Sequence, residues 1–318
     1  FFKQKTAYEI STRDWSSDVC SSDLYKSCVS IRGLTKKYSK FTLGALDLDI
    51  PMGFSTALIG ANGAGKTTLI DILCGVTRRT SGEVVYFGSD KDIDEPALRE
   101  RIGYCASTAF FPMGFNAKDI AVSMEIAYSS FDRARFAELC EQFEVDSERT
   151  KKPRSMMKQS DGNRMRTCLA SVLARSTELL ILDEPGSSLD PLMRDRLCDR
   201  MRGYLDDGDG NRSIIFSTHN IADMENAADY AVFMDHGRLI EQGFIEELKE
   251  KYIVISGDAQ DYEKAKPLLM SSSHNRTTFD GLALAEHSAE LAEMGVESEA
   301  PTLQQLSVGL LKYAEGNR

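Results

Sequence analysis

No stretch of this sequence approaches the 18 or so consecutive apolar residues of a membrane span, so any role at a membrane has to run through a partner. Basic residues are in short supply as well: 38 Lys+Arg stand against 49 Asp+Glu, a net charge of −11. Non-specific nucleic-acid binding depends on clustered Lys and Arg, and this balance argues against it. Apart from Cys20, the cysteines are Cys28, Cys74, Cys105, Cys140, Cys168 and Cys198; they form no C-x-x-C pair, which suggests buried thiols in a reducing cytoplasm. Internal repeats and low-complexity tracts are missing too. So is a signal peptide: residues 1–24 hold no apolar stretch of about 7–15 residues behind a basic start. That segment, FFKQKTAYEISTRDWSSDVCSSDL, looks instead like translated sequencing-library adapter. Ser11-Thr12-Arg13 falls where such adapters carry a variable index. The natural N-terminus is then expected to be lost, and fold reasoning starts at Tyr25. From there the chain is long enough for one large core and a small appendage.

The chain is organised around Gly60-Ala61-Asn62-Gly63-Ala64-Gly65-Lys66-Thr67-Thr68. The apolar run 56–59 before it reads as a buried strand, and residues 69–74 read as the start of a helix. Strand, glycine loop and helix is the context that turns G-x-x-x-x-G-K-[ST] into a phosphate-binding loop. Backbone N–H groups curl round a phosphate there, and the helix N-terminus adds positive potential. Lys66 is expected to reach the β- and γ-phosphates and Thr67 to ligate Mg²⁺.

Elsewhere the periods alternate between strand and helix. Residues 29–34 and 43–50 alternate like half-buried strands, and 83–88 and 101–105 read as two more. Between the first two lies Tyr38, an aromatic able to stack on an adenine ring, with Phe41 as the substitute; such stacking is worth about 1–3 kcal/mol. A hairpin with an aromatic packed beneath it would read the same way. From Asn116 to Val145 the period turns helical, with Ile120, Met124 and Ala127 on one face and Phe136, Leu139, Cys140 and Phe143 on another. Asp132 is placed to cap the second of these helices. Apolar strands are expected at 178–182, 213–218, 230–234 and 238–241. Strands alternating with helices round a glycine loop mean an α/β core with a largely parallel sheet. Near residue 248 the character shifts to a small α/β tail, with strands at 252–256 and 282–285. Thr302 to Gln305 is a capping-box pattern opening a helix with Leu303, Leu306, Leu310 and Leu311 on one face.

Chemistry gathers at the strand ends. Asp183, closing the apolar run 178–182, can hold Mg²⁺ through its water shell, and Glu184 can polarise a water for in-line attack on a γ-phosphate. Ser160 and Gly162, at a helix N-terminus, can bind phosphate through a hydroxyl and backbone amides. His219, ending the strand 213–218, can sense the γ-phosphate, although a lone histidine is more often a polar strand-end residue.

In this order the parts GANGAGKTT, LLILDEP, SSLD and FSTHN resemble the ATP-binding subunit of ABC transporters over residues 29–243. The resemblance implies a P-loop NTPase core with an antiparallel β subdomain, a helical insert at about 113–165 and a C-terminal α/β extension. The ATP-binding domain would span 25–245 and the extension 246–318. Family members face each other head to tail. ATP then lies between the phosphate loop of one copy and Ser160 and Gly162 of the other, with Asp190 also acting across the dimer. Implied partners are a second ATP-binding subunit, identical or not, and a separate transmembrane permease. The chain would sit on the cytoplasmic face of the membrane through that permease. The tail around residues 301–306 looks like that of bacterial exporter ATPases.

Two positions depart from the family pattern. Its LSGGQ signature stands here as Gln159-Ser160-Asp161-Gly162-Asn163. Where the family carries a glutamine that contacts Mg²⁺ and the attacking water, this chain has Ser107, too short for that reach. These departures motivate a second expectation, a degenerate partner that closes on ATP but hydrolyses little. Relatives that work on DNA need a long coiled coil before the signature, and this interval holds no sustained heptads. Translation-associated relatives carry two nucleotide domains in one chain, against one phosphate loop here.

Overall fold

A computed structural model describes residues 26–89, 92–107, 111–219 and 221–317, apart from the side chain of Asp223. Residues 1–24, read as adapter, lie outside the described residues. The described chain opens with β1 (Ser27–Lys37) and β2 (Thr42–Pro51), followed by β3 (Ser55–Ile59), α1 (Lys66–Leu73) and β4 (Ser81–Tyr86). Next come α2 (Pro96–Arg101), β5 (Ile102–Cys105), α3 (Ala117–Ala127), α4 (Arg133–Gln142) and α5 (Asp161–Leu173). Beyond them lie β6 (Leu179–Leu182), α6 (Pro191–Asp206), β7 (Ser213–Thr218), β8 (Tyr230–Asp235) and β9 (Arg238–Phe244). The last part holds α7 (Ile245–Lys251), β10 (Tyr252–Asp258), α8 (Tyr262–Ala265) and β11 (Leu269–His274). It ends in β12 (Thr278–Leu284), α9 (Ser288–Glu293), β13 (Glu297–Glu299) and α10 (Leu303–Gly316).

The main sheet has the order β5-β6-β7-β3-β8-β9. Its first five strands run parallel, and β9 is antiparallel to β8. Every residue of β3, β6, β7 and β8 is buried, as expected of strands covered on both faces, which read as apolar runs and not as alternation. One face packs on β1, β2 and α1, the other on α3 to α6. Because β3, β6 and β7 are neighbours in parallel, their C-terminal ends lie side by side, where ligands of open α/β sheets bind. A separate antiparallel sheet, β2-β1-β4, covers the phosphate-loop helix.

The two insert helices form where the apolar period turns helical. Asn116 and Asp119 make a capping box on α3, and the Asp132 side chain accepts the Arg135 N–H at the start of α4. Ala127 does not share the buried face of Ile120 and Met124: it is exposed at the last turn, and Ala117 and Ala121 complete that face. Buried Arg175 ties the insert to the sheet edge. Its guanidinium donates to the carbonyl of Ile102 at 3.1 Å and lies 3.5 Å over the Tyr128 ring.

The tail is a four-stranded antiparallel sheet, β11-β12-β10-β13, and not a pair of strands. The two extra strands escaped the periodicity because one is the polar LMSSSH and the other is the fully exposed Glu-Ser-Glu. α10 carries the expected capping box and buries Leu303, Leu306 and Leu310 in the same cluster as Ala231 and Phe233 of the main sheet and Leu282 of the tail sheet. One helix thus joins both layers.

Candidate functional site

The loop after β3 bends tightly before α1. Gly65 caps α1 with φ 106 in left-handed space, where a Cβ would also stand 2.8 Å from Leu43 Cδ1. Residues 62–68 line an open cavity of about 550 Å³ together with Phe41, Ser107, Glu184, Ser187 and His219.

Lys66 is drawn into the loop. Only 5% exposed, it donates from Nζ to the carbonyls of Gly60 at 2.7 Å and Ala61 at 3.3 Å. Burial pulls its ammonium below the ordinary lysine value, and Glu184, 3.6 Å away, opposes that pull.

Asp183 is buried to 1% exposure, and a carboxylate so placed has to be hydrogen-bonded. Among the described residues, three side-chain hydroxyls serve it. Ser217 Oγ donates to Oδ1 at 2.6 Å, Thr67 Oγ1 to Oδ2 at 3.1 Å and Ser107 Oγ to Oδ2 at 3.0 Å. Glu184 comes next with φ 50, outside the usual range for a residue with a side chain. Its N–H is held by Ser217 Oγ at 2.8 Å, and its carboxylate meets His219 Nδ1 at 2.7 Å. Ser217 therefore fixes both acids at once.

The hard oxygens of Thr67 and Asp183 suit a divalent cation that arrives with phosphates and keeps much of its water. Among the described residues no cluster of three His, Cys, Asp or Glu gathers to cage a metal by protein ligands alone. The donor set fits Mg²⁺ of that kind.

Of the residues singled out in the sequence, Asn62 to Thr68, Glu184 and His219 line the cavity, with Asp183 bonded to its Thr67 edge. Tyr38 does not line it. The chain bends just past β1, where the Tyr38 N–H donates to Phe41 O at 2.8 Å, and this turns Phe41 towards the loop. Tyr38 stays 46% exposed under Lys36 Nζ. Ser160, Gly162 and Asp190 also lie outside the lining. Ser160 caps α5 by accepting the Asn163 N–H at 3.3 Å, and Asp190 caps α6 by accepting the Met193 N–H at 3.1 Å. Gly162 abuts the Ser188 carbonyl, which a Cβ would approach to 2.7 Å, so the two turns are packed together. Asn163 turns its amide oxygen to Arg166. Sequence reasoning gave no role to Ser187 or Ser217. The signal was their position inside SSLD and FSTHN.

Comparison with known proteins agrees with this geometry. The ABC transporter family model matches residues 43–187. The daunorubicin/doxorubicin resistance ATP-binding protein DrrA of Streptomyces peucetius is 32% identical over 225 residues, covering 70% of this chain and 66% of its own length. The nickel import ATP-binding protein NikO of Rhodobacter capsulatus is 31% identical over 220 residues, 63% of this chain and 82% of its own length. In fold, the chain matches a dimeric ATP-binding cassette in a post-hydrolysis state bound to ADP and Pi, with TM-score 0.59 and 20% identity over 68% of this chain and 98% of that one. The chain therefore belongs to the ABC transporter ATP-binding proteins, with their α/β P-loop NTPase fold and their ATPase activity.

Proposed function

We propose that the chain binds ATP with Mg²⁺ at residues 60–68 and hydrolyses it to drive an exporter. When bound, Mg²⁺ would supply positive charge to the β- and γ-phosphate oxygens. Thr67 and Asp183 would hold that ion, Lys66 would bind the phosphates, and Glu184 would take the proton of the attacking water. His219 would steer Glu184 and read the γ-phosphate. Phe41 suits the base better than Tyr38. The observation that carries this reading is Glu184, standing between Lys66 Nζ at 3.6 Å and His219 Nδ1 at 2.7 Å on the wall of the cavity.

Ser160, Gly162 and Asp190 would act on the nucleotide of a second ATP-binding subunit, making two composite sites. Residues 25–245 would form the ATP-binding domain and 246–318 an extension to it. A separate transmembrane permease would hold the chain at the cytoplasmic face. Among the described residues no helix is long and apolar enough to cross a membrane. Val122 and Ile126, four residues apart on α3, leave an apolar stripe in solvent that a protein partner could cover. The resistance named for one relative and the tail at 301–306 support export; the nickel import named for another is the opposing case.

Glu184→Gln is expected to keep ATP, to dimerise on it, and to hydrolyse about 100-fold more slowly or worse. Turnover at the parental rate would remove Glu184 as the base. A second reading, favoured by Ser107 in place of the family's glutamine, is a partner that closes on ATP but hydrolyses little. Hydrolysis by the purified chain, compared with that after co-expression with its gene neighbours, separates the two.

A further inference from the structure

The residue at position 107 does not leave the site; it changes what it touches. β5 and β6 run parallel with Cys105 opposite Leu182, and the Asp183 N–H donates to Cys105 O at 2.9 Å. This register carries the chain past Cys105 alongside Asp183, so that even a one-carbon side chain reaches it. The Ser107 hydroxyl donates to Asp183 Oδ2 at 3.0 Å, on the same oxygen that receives Thr67 Oγ1 at 3.1 Å. Oδ1 is held from β7 by Ser217 at 2.6 Å. The carboxylate is thus gripped from three elements: α1, the end of β5, and β7.

Resting on the ATP–Mg²⁺ reading above, we infer that Ser107 is a positioning residue for the divalent cation, acting through Asp183. A longer amide side chain at 107 would extend past Asp183 into the cavity. Serine stops at the carboxylate and fixes its plane instead. A hydroxyl that only satisfies itself on the nearest acceptor would show the same bond but have no effect on the metal.

The full chain is titrated with Mn²⁺ in the presence of ADP, and free Mn²⁺ is followed by its electron paramagnetic resonance signal. Ser107→Ala is expected to weaken Mn²⁺ about tenfold in the ADP complex, while Ser107→Thr, which keeps the hydroxyl, stays within about twofold of the parent. ADP affinity in EDTA is expected to be the same for all three. Parental Mn²⁺ affinity in Ser107→Ala overturns the assignment, as does a threonine variant as weak as the alanine one. An equal loss of metal-free ADP affinity also overturns it, by making Ser107 a prop for the loop. A parental chain that takes up no Mn²⁺ with ADP is a separate result, which sinks the nucleotide reading itself and this assignment with it.

Discussion

The phosphate-loop end of the sheet and the turn at Ser160, both proposed above to bind phosphate, are built in opposite ways. At the first, a buried ammonium and an acid line a cavity, with a buried carboxylate bonded at its edge. At the second, Ser160 and Asp161 are exposed, Asp161 pairs with Arg164 in solvent at 3.0 Å, and neither lines that cavity. The first has a lined cavity; the second is an exposed, capped helix end. A helix N-terminus offers amides and positive potential but no walls; under the proposed function a second ATP-binding subunit would supply them. Lys66→Ala breaks the first half. It is expected to weaken ATP binding by about 30- to 100-fold, the value of a charge-assisted bond to phosphate, as measured by calorimetry. Unchanged affinity would detach the loop from nucleotide.

Ser160→Asp sharpens the comparison from the other side. Aspartate caps a helix as well as serine does, so α5 should persist while a negative charge replaces the hydroxyl. ATP affinity of the single chain is then expected to match the parent. ATP-dependent dimerisation in a Glu184→Gln background should weaken about tenfold in sedimentation, a typical effect of one misplaced charge at an interface. Equal dimerisation would mean that this turn faces no phosphate.

How much of this could be read in advance differs between the two ends for a physical reason. The phosphate loop is contiguous: Gly60 to Thr68 bring their own geometry, and the apolar run of β3 announces where they stand. The main sheet was equally legible, because strands buried on both faces must be apolar throughout. Asp183 and Glu184 were found because two acids closing an apolar run are conspicuous. Ser217 was not, and Ser107 was read as too short for the metal, since a hydroxyl's value lies in which strand runs beside which. That information is in the register of β5, β6 and β7, not in any local pattern. Phe41 lines the cavity and Tyr38 does not because of the direction of one bend, which no local pattern gives. β11 and β13 were missed because edge strands with polar faces need no apolar period.

The last contrast is between the main sheet and the tail sheet, which meet at Glu241 of β9. Its carboxylate accepts from Lys251 Nζ and from the Tyr252 hydroxyl, at the end of α7 and the start of β10. Burial pushes this carboxyl up, but the two donors outweigh burial and hold it below the ordinary glutamate value. A carboxyl depressed in the folded state stabilises the fold above the unfolded value of about 4.3, and that contribution is lost as pH falls through the lower folded value. Glu241→Gln is therefore expected to cost about 1–2 kcal/mol in urea unfolding at neutral pH. Its deficit against the parent should narrow once the pH drops below about 4. A deficit that stays constant through that range would assign the loss to shape and not to charge. Because Glu241 lies outside the cavity lining, the variant's ATP affinity should equal the parent's. A joint deficit in stability and ATP binding would instead mean that the tail sheet and the nucleotide site are coupled through β8 and β9.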